Sequence, residues 1–159
     1  MVTLDCGLCH KGYHTDSALT VPVGKIDKAV QQLLWDTNES LYKGIEMMRA
    51  GNTVGDVGHA IESFVDDRYG IIRVLCGHGI GKEVHEEPQV PNYGKKGTGA
   101  VLKAGMVIAV EPMLTLGSEH AVSLPDEYTF VTEDESPSAH FEHTILVTDG
   151  DPEILTERI

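Results

Sequence analysis

The chain has 159 residues, 41% of them apolar and 23% charged, with 12 basic against 25 acidic side chains and a formal net charge of −13. That length suits one domain with a real core, and no apolar run is long enough to span a membrane. The acidic excess argues against nucleic acid and anionic membranes as partners. Much of it, at Asp126, Glu127, Glu133, Asp134, Glu135, Asp149 and Asp151, reads as solvated loop charge. Met1 to Gly7 shows neither the basic region nor the apolar stretch of a signal or transit peptide, so a soluble, cytoplasmic protein is expected.

Residues 2–8 and 14–21 read as two strands around a polar turn containing Lys11-Gly12. Within them Cys6-Gly7-Leu8-Cys9-His10 spells a haem-attachment pattern, and its Cys-x-x-Cys core also reads as a zinc half-site. Zinc would need further ligands at suitable spacing, and no second Cys-x-x-Cys exists. With Cys76 the count of cysteines is odd, which suits reduced thiols. Residues 26–49 carry Ile26, Val30, Leu33, Leu34, Leu41, Ile45 and Met48 at helical spacing, and Gly51-Asn52 ends that helix. Thr53 then caps a second helix with Asp56 as its capping-box partner, and Val54, Val57, Ile61, Phe64 and Val65 form the inner face. Ile71–Cys76 reads as a short strand and 77–99 as a glycine-rich loop region. The apolar run Met106–Val110 reads as a buried strand, and Tyr128–Thr132 and His140–Val147 as further strands. Strands, two helices, then more strands predict an α+β fold, with a mostly antiparallel sheet and two helices on one face.

Some side chains sit badly in these patterns. Asp5 and Asp16 each fall inside an apolar strand, where aspartate is unfavourable. Their separation lets them lie directly opposite each other across a Cys9–Gly12 loop. Two like charges at ~4 Å repel by about 4 kcal/mol in a partly polar site, so a shared proton or a cation is required. The bland alternative is an offset pairing with one aspartate exposed. Glu111 ends the buried run and shares a face with Val107 and Ala109, where an unpaired carboxylate is costly. Glu142 also falls in a strand, and His78 is flanked by Gly77 and Gly79. Four carboxylates and one imidazole form an oxygen-rich set suited to Mn, Fe(II) or Co, with Zn possible. Two ions in such a set support metal-assisted hydrolysis.

Cys76-Gly77-His78-Gly79-Ile80-Gly81, His85-Glu86-Glu87-Pro88-Gln89-Val90, Glu111-Pro112-Met113 and Glu142-His143-Thr144 together resemble type I methionine aminopeptidases of the pita-bread fold. The resemblance runs from about Leu4 to Thr156. Prolidase and aminopeptidase P share the five ligands, but the Glu-Pro-Met and His-Glu-Glu-Pro segments look more like the methionine enzymes. The resemblance implies removal of the initiator methionine from nascent polypeptides. It implies that Asp16 and Glu142 bridge two divalent ions, that Asp5 completes one shell, and that His78 and Glu111 complete the other. Glu111 would also handle the proton of the attacking water, His85 would hydrogen-bond the scissile carbonyl or the tetrahedral intermediate, and Val84 and Tyr128 would form part of the methionine pocket. The family has most of another half-domain before the first aspartate ligand, whereas four residues precede Asp5. That half normally supplies another catalytic histidine, which neither His10 nor His14 matches. Residues 1–159 are therefore expected to form a single, incomplete pita-bread domain that self-associates or is completed by another chain, because missing cover leaves apolar surface exposed. The competing function is a catalytically inactive pita-bread-like binding or regulatory module. The complete ligand set favours the enzyme.

Overall fold

The computed structural model describes residues 1–126 and 129–157. It opens with a hairpin in two stages. The inner stage pairs β2 (Leu8–His10) with β3 (Tyr13–Thr15), and the outer stage pairs β1 (Val2–Asp5) with β4 (Ala18–Val21). Lys11 and Gly12 form the two-residue turn with φ of 51° and 78°. Positive φ at both central positions is the turn geometry whose twist matches a hairpin. This tight turn corrects the expected register: Asp5 faces Ala18, not Asp16. Asp16 is two residues from Ala18, so the aspartates share a face diagonally.

The helices follow the apolar spacing. α1 (Lys28–Ile45) is shorter than the expected 26–49, leaving Ile26 and Met48 outside it; it buries Leu33, Leu34, Leu41 and Ile45, and α2 (Val54–Val65) buries Val54, Val57, Ile61 and Val65. The capping box forms as expected, with Asp56 N donating to Thr53 Oγ1 (3.3 Å) and Thr53 N donating to Asp56 Oδ2 (2.8 Å). The two helices pack on each other. Their buried residues join Ile108, Val110, Leu114, Ile145 and Val147 in one core.

The second half of the chain is richer in strands than the sequence suggested. Ile71–Cys76 is not one strand: β5 is only Gly70–Ile71, and β6 is Gly77–Gly79. The expected 77–99 loop contains β6 and also β7 (Glu86–Val90). Next come β8 (Val107–Val110), β9 (Met113–Thr115), β10 (Ala121–Ser123) and β11 (Phe130–Thr132). The last three are β12 (Ser138–His140), β13 (His143–Leu146) and β14 (Glu153–Ile154). An antiparallel sheet of order β14-β13-β8-β6-β7 carries the centre of the core, with a three-stranded sheet β12-β9-β5 beside it. Gly77 and Gly79 permit this packing, because a Cβ would run into the Ala109 carbonyl at one and the Glu87 carbonyl at the other. No helix among the described residues is long and apolar enough to cross a membrane.

One register links the two sheets. β13 pairs with β8 so that His143 faces Val110, and β12 pairs with β9 so that His140 faces Met113. Continued across the gap, that register sets Glu142 opposite Glu111. The ladder breaks there beside Pro112, which has no N–H to contribute. Glu142 therefore lies between strands and not within one, which corrects the expected single strand over His140–Val147.

Candidate metal centre

Interruptions in paired strands deliver the acidic side chains to one place. Asp16 follows β3 at the junction between the two stages of the hairpin. Thr144 on β13 clamps it: Asp16 N donates to Thr144 Oγ1 (2.9 Å), and Thr144 Oγ1 donates to the Asp16 carbonyl (2.7 Å). Next to it, Glu142 N donates to the Ala18 carbonyl (2.9 Å). The N-terminal hairpin is thereby fastened along residues 142–144, and Asp16 meets Glu142.

His78 comes from β6, between β8 and β7 of the five-stranded sheet, opposite Ala109 on β8. Its Nδ1 lies 2.9 Å from the Gly79 carbonyl, which makes Nδ1 the donor and leaves Nε2 to face the acids. Asp16, His78 and Glu142 each offer a ligand atom, and these atoms lie within 4.8 Å of one another. Glu111 joins them, with Oε1 3.6 Å from His78 Nε2. Asp5 lies close enough to Asp16 and Glu111 for their charges to act on its carboxyl.

The electrostatics show what this packing costs. Glu142 is 2% exposed. Its pKa is pushed up to about 9, first by burial and then by the charges of Glu111, Asp16 and Asp5. Loss of solvent around its carboxyl also raises the Asp5 pKa, although its strand is exposed, and Asp16 and Glu111 add to the shift against the opposing effect of His140. Carboxylates held this way take up protons or cations. The donor set of carboxylate oxygens and an imidazole nitrogen fits a divalent ion.

His85 stands over His78, the rings 4.4 Å apart and nearly perpendicular. Its turn is set by Glu86, whose Oε1 accepts from the backbone N of Lys82 (2.6 Å) and Glu83 (2.9 Å). Both imidazoles line a cleft of about 340 Å³, together with Cys76, Glu87 and Gln89. Val84 is half-buried in the same turn, and Tyr128 lies outside the described residues.

The sequence reading missed His140 and Asn92. His140 Nε2 lies 3.3 Å from Glu111 Oε2, and Asn92 Nδ2 donates to the Glu111 carbonyl (3.1 Å). Strand alternation held a clue to the first, since residues 140 and 142 share parity. Nothing local marks Asn92. Cys6 and Cys9 are free and exposed.

The model of metallopeptidase family M24 matches residues 1–149. The chain belongs to this family. Metallopeptidase family M24 implies divalent metal ions, in keeping with the cluster just described. The chain is similar to the methionine aminopeptidase of Clostridium perfringens, with 43% identity over 157 residues. That match covers 98% of this chain and 63% of the relative. The Mycobacterium tuberculosis methionine aminopeptidase 1 is 46% identical over 163 residues, covering 98% and 61%. The solved methionine aminopeptidase of Thermotoga maritima superposes with a TM-score of 0.95 at 44% identity, covering 98% of this chain and 63% of that one. Prolidase from Pyrococcus furiosus, at 24% identity, shares the fold with a TM-score of 0.76 over 99% of this chain and 41% of its own. The fold is the expected α+β pita-bread type. The chain thus spans a little under two thirds of the length of the methionine aminopeptidases it matches.

Proposed function

We propose that the chain carries out metal-dependent removal of N-terminal methionine from peptides and nascent polypeptides. The observation that carries this reading is the buried Glu142 carboxylate, set among Asp5, Asp16 and Glu111 with His78 alongside. Asp16 and Glu142 would each serve two divalent ions, for which Mn, Fe(II), Co and Zn are chemically suited. Asp5 would serve one ion, and His78 and Glu111 the other. The bound ions supply Lewis acidity and lower the pKa of water. Glu111, with one carboxylate oxygen toward His78, accepts the proton of the attacking water. His85, at the cleft beside His78, hydrogen-bonds the scissile carbonyl and the tetrahedral intermediate as charge develops on its oxygen. Val84 and Tyr128 contribute to the methionine pocket. Leu4 and Leu8 are 54% and 61% exposed, which supports self-association or a complementing chain as the means of covering this edge.

Methionine release from a Met-Gly peptide, with Mn(II), Co(II) or Fe(II) added, tests the activity. The expected outcome is release that a chelator stops. Bound metal with no release under any of the three would sink the reading that this chain acts by itself and would mark it as the metal half of a split enzyme or as the binding module. No bound metal would sink the site itself. Light scattering that shows a monomer in the micromolar range would remove the self-association.

A further inference from the structure

Among the described residues, two buried side-chain atoms lack an aligned hydrogen-bond partner: Asn92 Oδ1 and His140 Nε2. Both residues touch Glu111. Asn92 holds its main chain through the carbonyl. His140 Nε2 lies 3.3 Å from Glu111 Oε2, close enough for an ion pair but not in line for a hydrogen bond. On the far side of the same carboxylate, Oε1 lies 3.6 Å from His78 Nε2. The two oxygens of Glu111 are therefore divided between two imidazoles.

His140 has little freedom to find another partner. Its backbone N donates to Thr20 Oγ1 (2.9 Å), and Thr20 Oγ1 donates to its carbonyl (2.9 Å). Its strand is paired with β9. A buried ring N–H without an acceptor costs free energy, and the nearby charged oxygen relieves that cost after a small ring rotation. Glu111 has its own need. It sits between β8 and β9 beside Pro112, where the strand ladder is broken.

We propose that His140 is a positioning residue for Glu111: its Nε2–H donates to Oε2 and keeps Oε1 turned toward His78 and the carboxylate cluster. The inference rests on the reading of Glu111 as a metal ligand. A ligating carboxylate held from behind keeps its orientation, and loss of such a partner characteristically weakens metal binding.

Two variants test it. His140→Leu keeps buried volume and cannot donate, and His140→Gln places an amide N–H within reach of the same oxygen. Co(II) is titrated into each protein and the parent, following the visible spectrum and the binding heat, with urea unfolding of the metal-free proteins as the fold control. The leucine variant is expected to bind Co(II) roughly 10- to 100-fold more weakly and with an altered spectrum. Its kcat for methionine release should fall while KM holds. The glutamine variant should restore affinity and spectrum. If leucine disrupts folding, His140→Ala is read in the same way. Parent-like affinity and spectrum without the imidazole would overturn the proposal, and so would a defect that glutamine does not relieve, which would make His140 a ligand itself. A parent that takes up no Co(II) would instead overturn the reading of the metal centre, and this inference with it.

Discussion

Metal-free protein should lose stability as the pH rises, and Glu142 sets the size of the effect. In the unfolded chain this carboxyl ionises near its ordinary value of 4.5, whereas in the fold it holds its proton up to about 9. Between those limits the folded state carries a proton that the unfolded state has released. Stability from this group is complete below about pH 4.5 and is lost as the pH climbs toward 9. The slope approaches 1.4 kcal/mol per pH unit at most, so about 2.6 kcal/mol should disappear between pH 6 and pH 8. Asp5, also shifted upward, adds in the same direction over its own range. Glu142→Gln removes the titration and retains the shape. Urea unfolding in excess chelator, at several pH values, compares parent with variant, and titrating groups remote from the carboxylate cluster cancel in the difference. The variant should gain on the parent as pH rises and be the more stable at pH 8. If the difference between them does not change from pH 6 to pH 8, the buried carboxylate is not protonated in the fold and the electrostatic argument for a cation site fails.

Glu142→Ala should abolish binding of both ions together if Glu142 serves each, as proposed; metal analysis after gel filtration checks this, and full occupancy would refute that role. His85→Ala should leave metal content unchanged and lower kcat by about 10²-fold or more, as seen in peptide assays at matched metal loading. Thr53→Ala removes one side of the capping box and should cost about 1 kcal/mol in urea unfolding, with activity at low temperature unaffected. Gly77→Ala drives a methyl into the Ala109 carbonyl, so β6 must move from β8. Loss of metal affinity alongside lowered stability is expected, and a stable variant with parent affinity would show that His78 does not depend on that contact.

Both helices and the Thr53 cap were readable from the chain alone, because apolar spacing at the helical period and a local hydrogen-bonding pair need no distant partner. The gathering of acidic side chains was also signalled in the chain. Asp5, Asp16, Glu111 and Glu142 stood out as carboxylates in apolar surroundings, which is a cost that sequence exposes. The geometry was not. The two-residue Lys11-Gly12 turn shifted the hairpin register and moved Asp5 from opposite Asp16 to opposite Ala18. The short strands at Gly77–Gly79 and Met113–Thr115 were hidden because glycine and proline neighbours weaken local strand signals, and pairing across the sheet outweighs them. The shared register that sets Glu111 across from Glu142, and His140 behind Glu111, depends on ladders between segments roughly 30 residues apart. Side-chain type announces a need for a cation, but only tertiary pairing decides which atoms meet, since each strand's register is chosen by partners that local sequence does not encode.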